Sequence, residues 1–294
     1  MSNPEFIQLP KFLDERGNLS FFENGGQLPF IIKRVHWIYD VPGGETRGGL
    51  AYMETEEFIV AMSGSFDVVL DDGTGKQVFS LNRSYMGLCV PKGYWRSIEN
   101  FSTNSVALIA ASTHYNPNEA IRDYHEFLEY SKTMHLVQNE AETDSELSIQ
   151  SEKIYGYSVY DCTMIELDRH HSPRKGDVSV VENGETVPFD VKRVYYLYDV
   201  PGGAERGGHA HKSLSQLIVA VSGSFMVTLY DGKARSSFYL NRPYQGLLVK
   251  PGIWRDLSNF SSGSVCMVLA SEKFDTEDYI RDHEAFLTYK NGMQ

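Results

Sequence analysis

Cysteine is scarce in this chain of 294 residues, which contains only Cys89, Cys162 and Cys266. Their number is odd and none stands in a CxxC pair, so the sequence indicates neither a disulfide framework nor a zinc site built from cysteines. The chain also lacks a basic-then-apolar start and any apolar run approaching about 18 residues, which signal peptides and membrane-spanning helices require. We therefore expect a soluble, cytoplasmic protein without membrane contact.

Basic residues are also fewer than acidic ones in this chain. Lysine and arginine total 27 against 39 aspartate and glutamate residues, a net charge of −12. Binding to nucleic acids or acidic membranes needs clustered cations that contact phosphates, so this balance argues against both as partners. A small anionic ligand held by a few arginines stays compatible with it. Apolar residues make up 41% of the chain, and its 16 Phe and 18 Tyr are ample for a packed core.

What the chain does contain is a tandem repeat without gaps. KRVHWIYDVPGG at 33–44 returns as KRVYYLYDVPGG at 192–203, and GYWRSIENFS at 93–102 returns as GIWRDLSNFS at 252–261. A single offset of 159 residues relates the two copies. Each copy is too long to be a solenoid unit, so each is a whole domain.

The domain boundaries follow from the ends of this repeat. We predict one domain at 1–130 and a second at 157–294. The segment 131–156 between them has sparse apolar residues and an excess of acidic ones, and we interpret it as a linker, partly helical.

Within each copy the pattern is that of β-structure. Short runs rich in Val, Ile, Leu and aromatics are separated by Gly, Pro, Asn and Asp, which is typical of closely spaced strands. In the second copy these runs lie at 194–200, 216–221, 224–230, 236–240, 246–250 and 264–270. The spacing favours an all-β sandwich or jelly-roll barrel.

A helix is predicted at the end of each copy. In the second copy Asp275 would cap it, and Ile280, His283, Phe286 and Leu287 would form its apolar face. In the first copy the equivalent face is Ile121, Tyr124, Phe127 and Leu128.

The two copies differ most at one short motif. The second copy has GGAERGGHAHK at 202–212, whereas the first has GGETRGGLAYM at 43–53, so that His209 and His211 stand opposite Leu50 and Tyr52. With Gln216 and the glycines at 203 and 223, the second motif resembles the first cupin motif, G-x5-HxH-x3,4-E-x6-G. The segment G-x2-R-x3-N at 252–259 resembles the second cupin motif, with Arg255 in place of its last histidine.

These replacements disfavour a metal ion. A cupin metal centre resembling this frame would use two histidines, a glutamate and a third histidine. Here the glutamate is Gln216, a poor neutral ligand, and the third histidine is Arg255, a permanent cation that cannot ligate. The sequence therefore predicts no metal and no other cofactor in the second copy. The first copy has Leu50, Tyr52, Glu57 and Arg96 at these positions, a set that makes no metal site.

The HAH motif then has two interpretations. Residues i and i+2 of a strand share a face, so His209 and His211 point the same way, and they are either structural or functional. Histidine both accepts and donates protons near neutral pH, so a pair of them in a polar barrel mouth is suited to acid/base catalysis. We favour the functional interpretation.

The longer pattern KRVYYLYDVPGG…RGGHAHK…SGSF…LNRPYQGL…IWRDLSNFSS…YIRD resembles the nucleotide-sugar 3,4-ketoisomerases, the metal-independent FdtA-like or WxcM-like cupins. The resemblance covers nearly all of 160–289 and, without the histidines, most of 5–130. It implies two tandem cupin domains. It also implies an isomerase that moves the carbonyl of a dTDP-4-keto-6-deoxyhexose from C4 to C3, in the synthesis of deoxysugars for lipopolysaccharide O-antigens, S-layers or antibiotics.

The resemblance also implies the site residues. His209 and His211 would be the catalytic pair, without a decision as to which removes the C3 proton. Substrate-binding candidates come from the same motifs: Arg206 for the diphosphate, Arg193 and Tyr195 for phosphate or sugar, Gln216 or Arg255 for the developing enediolate, and Trp254 for stacking on thymine or for packing.

The first copy departs from this family at the proton carriers. Leu50 cannot move a proton, so we predict that only the second domain catalyses the reaction. The first domain either replaces the second subunit of the family's homodimer, as an intrachain pseudo-dimer, or still binds a nucleotide sugar without turnover. The first account is favoured, since fusion raises the effective concentration of the two domains. A further homodimer of the whole chain is compatible with both.

Three alternatives remain at this point. The chain would be a nucleotide-sugar-binding cupin without activity, a dTDP-sugar epimerase, or a metal-dependent cupin enzyme. Proton exchange at C3, the position of the carbonyl in the product, and the metal content distinguish them.

Overall fold

The computed structural model describes residues 2–134 and 156–292. The first half forms twelve strands: β1 Glu5–Gln8, β2 Lys11–Phe12, β3 Asn18–Glu23, β4 Arg34–Tyr39, β5 Arg47–Tyr52, β6 Glu57–Ser63, β7 Phe66–Asp71, β8 Lys76–Leu81, β9 Met86–Val90, β10 Trp95–Glu99, β11 Val106–Ala111 and β12 Ala120–Ile121.

The second half repeats this series. Its strands are β13 Thr163–Glu166, β14 Asp168–Ser172, β15 Gly176–Glu182, β16 Arg193–Tyr198, β17 Arg206–His211, β18 Gln216–Ser222, β19 Phe225–Tyr230, β20 Arg235–Leu240, β21 Gln245–Val249, β22 Trp254–Ser258, β23 Val265–Ala270 and β24 Tyr279–Ile280. The six strands predicted from the apolar runs are all present, with ends shifted by one or two residues.

Each half is a two-layered jelly roll in which a seven-stranded sheet faces a five-stranded sheet. In the first half the orders are β1-β9-β6-β11-β4-β15-β14 and β12-β5-β10-β7-β8. In the second half they are β13-β21-β18-β23-β16-β3-β2 and β20-β19-β22-β17-β24. The predicted fold class, two tandem cupin domains of nearly all-β structure, is confirmed.

The two halves exchange strands. β3 belongs to the first half by sequence but pairs antiparallel with β16, with Phe22 opposite Val194. In the same way β15 of the second half pairs antiparallel with β4, with Val180 opposite His36. Each seven-stranded sheet is therefore completed by the other half of the chain.

The largest apolar cluster lies between the halves, whereas a smaller one fills each barrel. The cluster between the halves includes Trp37 and Phe58 from one large sheet and Tyr196, Leu217 and Met267 from the other, each at most 1% exposed. Strands such as β6 and β18 are thus buried on both faces, one inside the barrel and one between the halves. Their near-continuous apolar sequences, FIVAM and LIVAV, have this physical cause.

A helix ends each half, but its start differs from the prediction. Asp275 caps a 3-10 turn, Thr276–Asp278, and the following Ile280 lies in β24. The α-helix itself, α2 His283–Asn291, begins later and is capped by Asp282, whose side chain accepts from the backbone N–H of Ala285. The predicted helical face thus combines Ile280 of the short strand with His283, Phe286 and Leu287 of the later helix.

The helix of the first half, α1 Tyr124–Met134, runs four residues past the predicted domain boundary at 130. Most of the predicted linker, residues 135–155, lies outside the described residues. In the described part of the chain, neither helix has the length and hydropathy needed to cross a membrane.

Candidate active site

A cavity of about 500 Å³ opens into the barrel of the second half. Its floor is apolar and comes from Leu197, Ile218 and Val268, and its polar wall carries the predicted site residues Arg193, Tyr195, Arg206, His209 and Arg255. The fold thus brings these five predicted site residues together around one cavity.

Another part of the cavity wall comes from the first half of the chain. Leu19 and Phe21 reach it because β3 is paired with β16, and Asp14 and Arg16 reach it on the preceding turn. The cavity is therefore composite, and no half of the chain encloses it alone. Sequence reasoning missed this segment because nothing in the local pattern of β3 reveals which sheet it joins.

The histidine pair is aimed by a bulge in β17. Pairing of β17 with β22 shifts register between Gly207 and His209. Gly207 has a φ of +90°, and a Cβ there would stand 2.6 Å from the carbonyl oxygen of Arg255, so only glycine fits. The bulge turns both imidazoles to the inner face of the barrel, as the spacing of the HAH motif predicts.

One guanidinium bridges the two imidazoles. Nη2 of Arg255 lies 2.7 Å from Nε2 of His209 and 2.8 Å from Nε2 of His211. A guanidinium only donates, so both Nε2 atoms accept, and both must carry a lone pair rather than a proton. Arg255 therefore takes up the two lone pairs that a metal ion would need.

The opposite ring nitrogens define the tautomer. Nδ1 of His211 donates to Oδ2 of Asp278 at 2.7 Å, and Nδ1 of His209 donates to the carbonyl oxygen of Gly207 at 3.0 Å. Both rings are thus neutral Nδ1–H tautomers. Asp278 is itself held by the backbone N–H and the hydroxyl of Ser213, each at 2.7 Å.

Burial and charge keep this pair neutral. Burial, and then the Arg255 cation, lowers the pKa of His209 far below its ordinary value, and the same two causes lower the pKa of His211 to about 3 in spite of Asp278. Burial acts to raise the pKa of Asp278, but its hydrogen bonds from His211 and Ser213 outweigh burial and lower it to about 2. The site thus holds two neutral bases, a carboxylate and a guanidinium.

The two histidines differ in access. His209 lines the cavity, whereas His211 is 2% exposed and lies behind it against the ring of Tyr279, with 4.3 Å between ring centroids. Gln216 is also buried and does not line the cavity. Its Nε2 donates to the hydroxyl of Tyr195 at 2.9 Å.

Two arginines of the wall are arranged for an anion. Arg193 is 3% exposed, and its Nε and Nη2 have no hydrogen-bond partner among the described residues. Arg206 donates to the carbonyl oxygen of Gly17 at 3.1 Å and lies 3.6 Å from Oδ2 of Asp14, both in the first half. Arg193 is thus a buried cation without an ion-pair partner among the described residues, which is a favourable place for a phosphate group.

Trp254 lies outside the cavity. It packs under α2 against Phe286, with 5.4 Å between ring centroids, and its indole N–H donates to Asp256 at 3.2 Å. This position agrees with packing and not with stacking on thymine. Trp254 is next to the inward-facing Arg255 along β22, so its side chain points to the other face of the sheet.

Asp278, Tyr279 and Arg281 belong to the site but were not among the predicted site residues. Asp278 anchors His211, whereas Tyr279 and Arg281 line the cavity. A signal was available for two of them, because Tyr279 and Arg281 stand in the YIRD motif at 279–282, of which IRD is repeated at 121–123.

Comparison with known proteins gives a consistent picture. The family model described as FdtA: WxcM-like, C-terminal, matches residues 2–132 and again residues 160–291. A curated relative, the TDP-4-oxo-6-deoxy-alpha-D-glucose-3,4-oxoisomerase of Aneurinibacillus thermoaerophilus, is 43% identical over 115 residues, which span 39% of this chain and 83% of that protein.

Solved structures similar to this chain include two ketoisomerases. A 3,4-ketoisomerase from Helicobacter canadensis is 39% identical, with 45% of this chain and 98% of that chain covered and a TM-score of 0.43. The sugar 3,4-ketoisomerase QdtA from Thermoanaerobacterium thermosaccharolyticum, in complex with TDP, is 33% identical, with 46% and 97% covered and a TM-score of 0.44. Since the family model matches most of the sequence in two copies, the chain belongs to the FdtA (WxcM-like, C-terminal) family and carries its domain twice.

Proposed function

We propose that this chain is a TDP-4-keto-6-deoxyhexose 3,4-ketoisomerase, an isomerase that moves the sugar carbonyl from C4 to C3. The observation that carries the proposal is the pair of neutral imidazoles whose Nε2 atoms converge on Arg255 beside an arginine-lined cavity. The names of the relatives support the substrate class, a sugar bound to TDP, the thymidine diphosphate also written dTDP.

The reaction needs proton movement and no redox partner. The hydrogen on C3 is acidic because it lies beside the C4 carbonyl. A neutral imidazole removes it, the electron pair forms the C3–C4 double bond, and the former carbonyl oxygen becomes the enediolate oxygen. The C4 oxygen then takes up a proton, the C3 hydroxyl loses its proton, and a proton returns to C4, which leaves the carbonyl at C3 and a hydroxyl at C4.

The residues take up these tasks according to position. His209 faces the cavity and is a neutral base. Its Nε2 becomes free to accept a proton once Arg255 turns to the substrate, and His209 then exchanges the proton with carbon. His211, anchored by Asp278, is the second proton carrier. Arg255 donates to the enediolate oxygen, a role worth about 10²–10³ in rate when one such donor is removed.

The substrate diphosphate is assigned to the arginines. Arg193 on β16 and Arg206 on β17 line the cavity from the two different sheets of the barrel, and Arg281 is an exposed residue at its rim. Together they supply the cations that a diphosphate requires. Tyr195, oriented by Gln216, faces the sugar.

The reaction is proposed to proceed without a metal, and only in the second half. Arg255 uses the two imidazole lone pairs that would otherwise ligate, and Leu50 and Tyr52 stand where the first half would need proton carriers. The first half takes the place of a second subunit, since it contributes β3 and the turn with Asp14 and Arg16 to the site. The cytoplasmic location stays a prediction.

The test is hydrogen exchange followed by NMR. The whole chain is incubated with TDP-4-keto-6-deoxyglucose in D₂O, and we expect deuterium at the carbons next to the carbonyl together with a product whose carbonyl is at C3. His209→Asn and His211→Asn should each lower the rate about 10²–10⁴-fold. Leu50→Met and Tyr52→Phe, at the matching positions of the first half, are the controls and should keep the wild-type rate.

Each alternative gives a different result in this experiment. A binding protein without activity gives no exchange, and an epimerase gives exchange without movement of the carbonyl. A stoichiometric metal in protein purified without added metal would contradict the metal-free mechanism. Substantial exchange that survives both histidine substitutions would contradict the assignment of activity to the second half alone.

A further inference from the structure

A second cavity, of about 610 Å³, lies in the barrel of the first half at the position equivalent to the active site. It is composite in the same way, because β15 of the second half pairs with β4 and carries Val178 and Val180 into its wall. A volume of this size is within the range of sites that hold small molecules, about 300–1,000 Å³. We propose that this cavity is a second, non-catalytic binding site for a nucleoside diphosphate, free or attached to a sugar.

The arginines of the two cavities correspond one to one. Every arginine of the second-half barrel that lines the active-site cavity has an arginine 159 positions earlier that lines the other cavity. The pairs are Arg193 and Arg34, Arg206 and Arg47, Arg255 and Arg96, and Arg281 and Arg122. The groups assigned to the diphosphate are thus present twice, whereas the proton carriers are present once.

Two of these arginines have no direct carboxylate partner among the described residues. Among the described residues, Arg47 and Arg122 make no hydrogen bond and no ion pair, although Arg47 is partly buried. The counterpart of Arg47 in the active site, Arg206, has Asp14 nearby at 3.6 Å, but the position equivalent to Asp14 holds Pro173. The carboxylate that acts on Arg47 from beyond ion-pair distance, Asp177, is itself held by Arg169 and His171. A partly buried cation without a direct carboxylate partner is stabilised by an anionic ligand.

The floor of this cavity also holds unused donors. Arg34 is 3% exposed, and its Nε has no hydrogen-bond partner among the described residues. Nδ1 of His36 is likewise buried and unpartnered. Buried polar atoms without partners are rare and costly, so they mark a place where a ligand completes the hydrogen bonding.

The same cavity is unsuited to turnover. Besides Leu50 and Tyr52, it has Glu57 where the active site has Gln216, and Glu57 binds Arg96 through Nε at 2.6 Å and Nη2 at 3.2 Å. Arg96 is therefore held by a carboxylate, whereas Arg255 is free to face two neutral bases. The ligand would be bound and not converted.

Carboxylates at the rim set the balance of charge. Asp168, Glu182 and Glu185 line this cavity together with the four arginines and Lys175, and Glu182 is already engaged by Nδ1 of His114 at 3.0 Å. Five lining cations against these three carboxylates and the buried Glu57 beside Arg96 leave a net positive charge. The assignment of a nucleoside as part of the ligand rests on the proposed function, whereas the assignment of a diphosphate rests on these arginines.

The experiment counts TDP molecules bound by the whole chain in isothermal titration calorimetry. We expect two equivalents for the wild type. Arg122→Ala and Arg47→Ala should each weaken one of the two sites about tenfold or more, and the double variant should bind one equivalent. The matched variant Arg281→Ala, in the active site, should weaken the other equivalent.

The outcome separates this inference from the proposed function. One equivalent in the wild type, or a second equivalent unaffected by the double variant, would overturn the second site even if deuterium exchange proceeds. Two equivalents without exchange would support the second site and reject the isomerase. Since Arg122 is exposed and neither arginine has a partner to lose, the variants should fold, and circular dichroism with Arg122→Lys and Arg47→Lys as conservative variants checks this.

Discussion

At the scale of single residues, Arg255 decides the chemistry of the pair it bridges. The sequence indicates that a guanidinium replaces the last cupin histidine. The structure adds that this guanidinium donates to both Nε2 atoms and thereby makes both imidazoles acceptors. A typical histidine titrates near pH 6.5, but these two are neutral well below it.

This neutrality predicts the pH dependence of turnover. Because burial and Arg255 depress the pKa of His209 and bring that of His211 to about 3, the proton-accepting form persists as pH falls. We expect kcat/KM, which reports the free enzyme, to stay level between about pH 8 and pH 5. The measurement is a pH profile of kcat/KM over that range, with circular dichroism as the control for acid unfolding. A fall centred near pH 6.5 would mean that the pair titrates as ordinary histidines.

At the scale of elements, the important feature is the turn between β2 and β3. Asp14 and Arg16, joined by an ion pair of 2.7 Å, lie on the cavity of the other half because β3 is a strand of the other half's sheet. The sequence places this turn about 190 residues from Arg206, yet Asp14 is within 3.6 Å of it. An element of the half that lacks the histidine pair therefore helps to build the candidate active site.

A substitution in this turn should affect binding more than chemistry. We expect Arg16→Ala to raise KM for the TDP-sugar about tenfold, since a cation on the cavity wall is lost, while kcat changes little. Steady-state kinetics measure the two separately. Arg174→Ala, in the equivalent turn of the second half, is the matched control and should change neither constant. Equal kinetics for wild type and Arg16→Ala would mean that the turn only closes the cavity.

At the scale of the whole molecule, the two halves share one core. Phe22, 0% exposed, belongs to β3 and packs edge-to-face on Phe58 of the first half at 5.1 Å between centroids, while its strand is paired with β16 of the second. Exchange of strands and a common apolar cluster couple the two barrels. Neither barrel has a complete large sheet without the other half.

Unfolding should accordingly be a single transition. We expect calorimetry to give one peak for the whole chain, and Phe22→Ala to lower the free energy of unfolding by about 3–5 kcal/mol, the usual cost of removing a buried phenylalanine. The loss of turnover and the loss of β-structure should then share one midpoint. Phe12→Ala, which removes an exposed aromatic of the neighbouring strand, is the control. Two separated peaks would show that the halves fold independently.

The sequence alone was sufficient for the strands, the repeat and the shared face of the histidines. These features depend on the period of apolar residues and on short motifs, both of which are local. The predicted start of α2 was wrong because a 3-10 turn and a two-residue strand precede the helix, in a segment whose apolar pattern is that of one helical face. Trp254 and Arg255 are adjacent in sequence, but they point to opposite faces of β22, so only one of them lies in the cavity.

What the sequence determined by itself is the chemistry available: the pair His209 and His211 in one half, Leu50 and Tyr52 at the matching positions of the other, and arginines in both. Only the tertiary structure decided which of these groups meet. The exchange of β3 and β15 brings residues of each half into the cavity of the other, and burial together with the contact to Arg255 keeps both imidazoles neutral. The physical reason is that strand pairing and electrostatic contact join residues that are distant along the chain, and no local pattern encodes such partners.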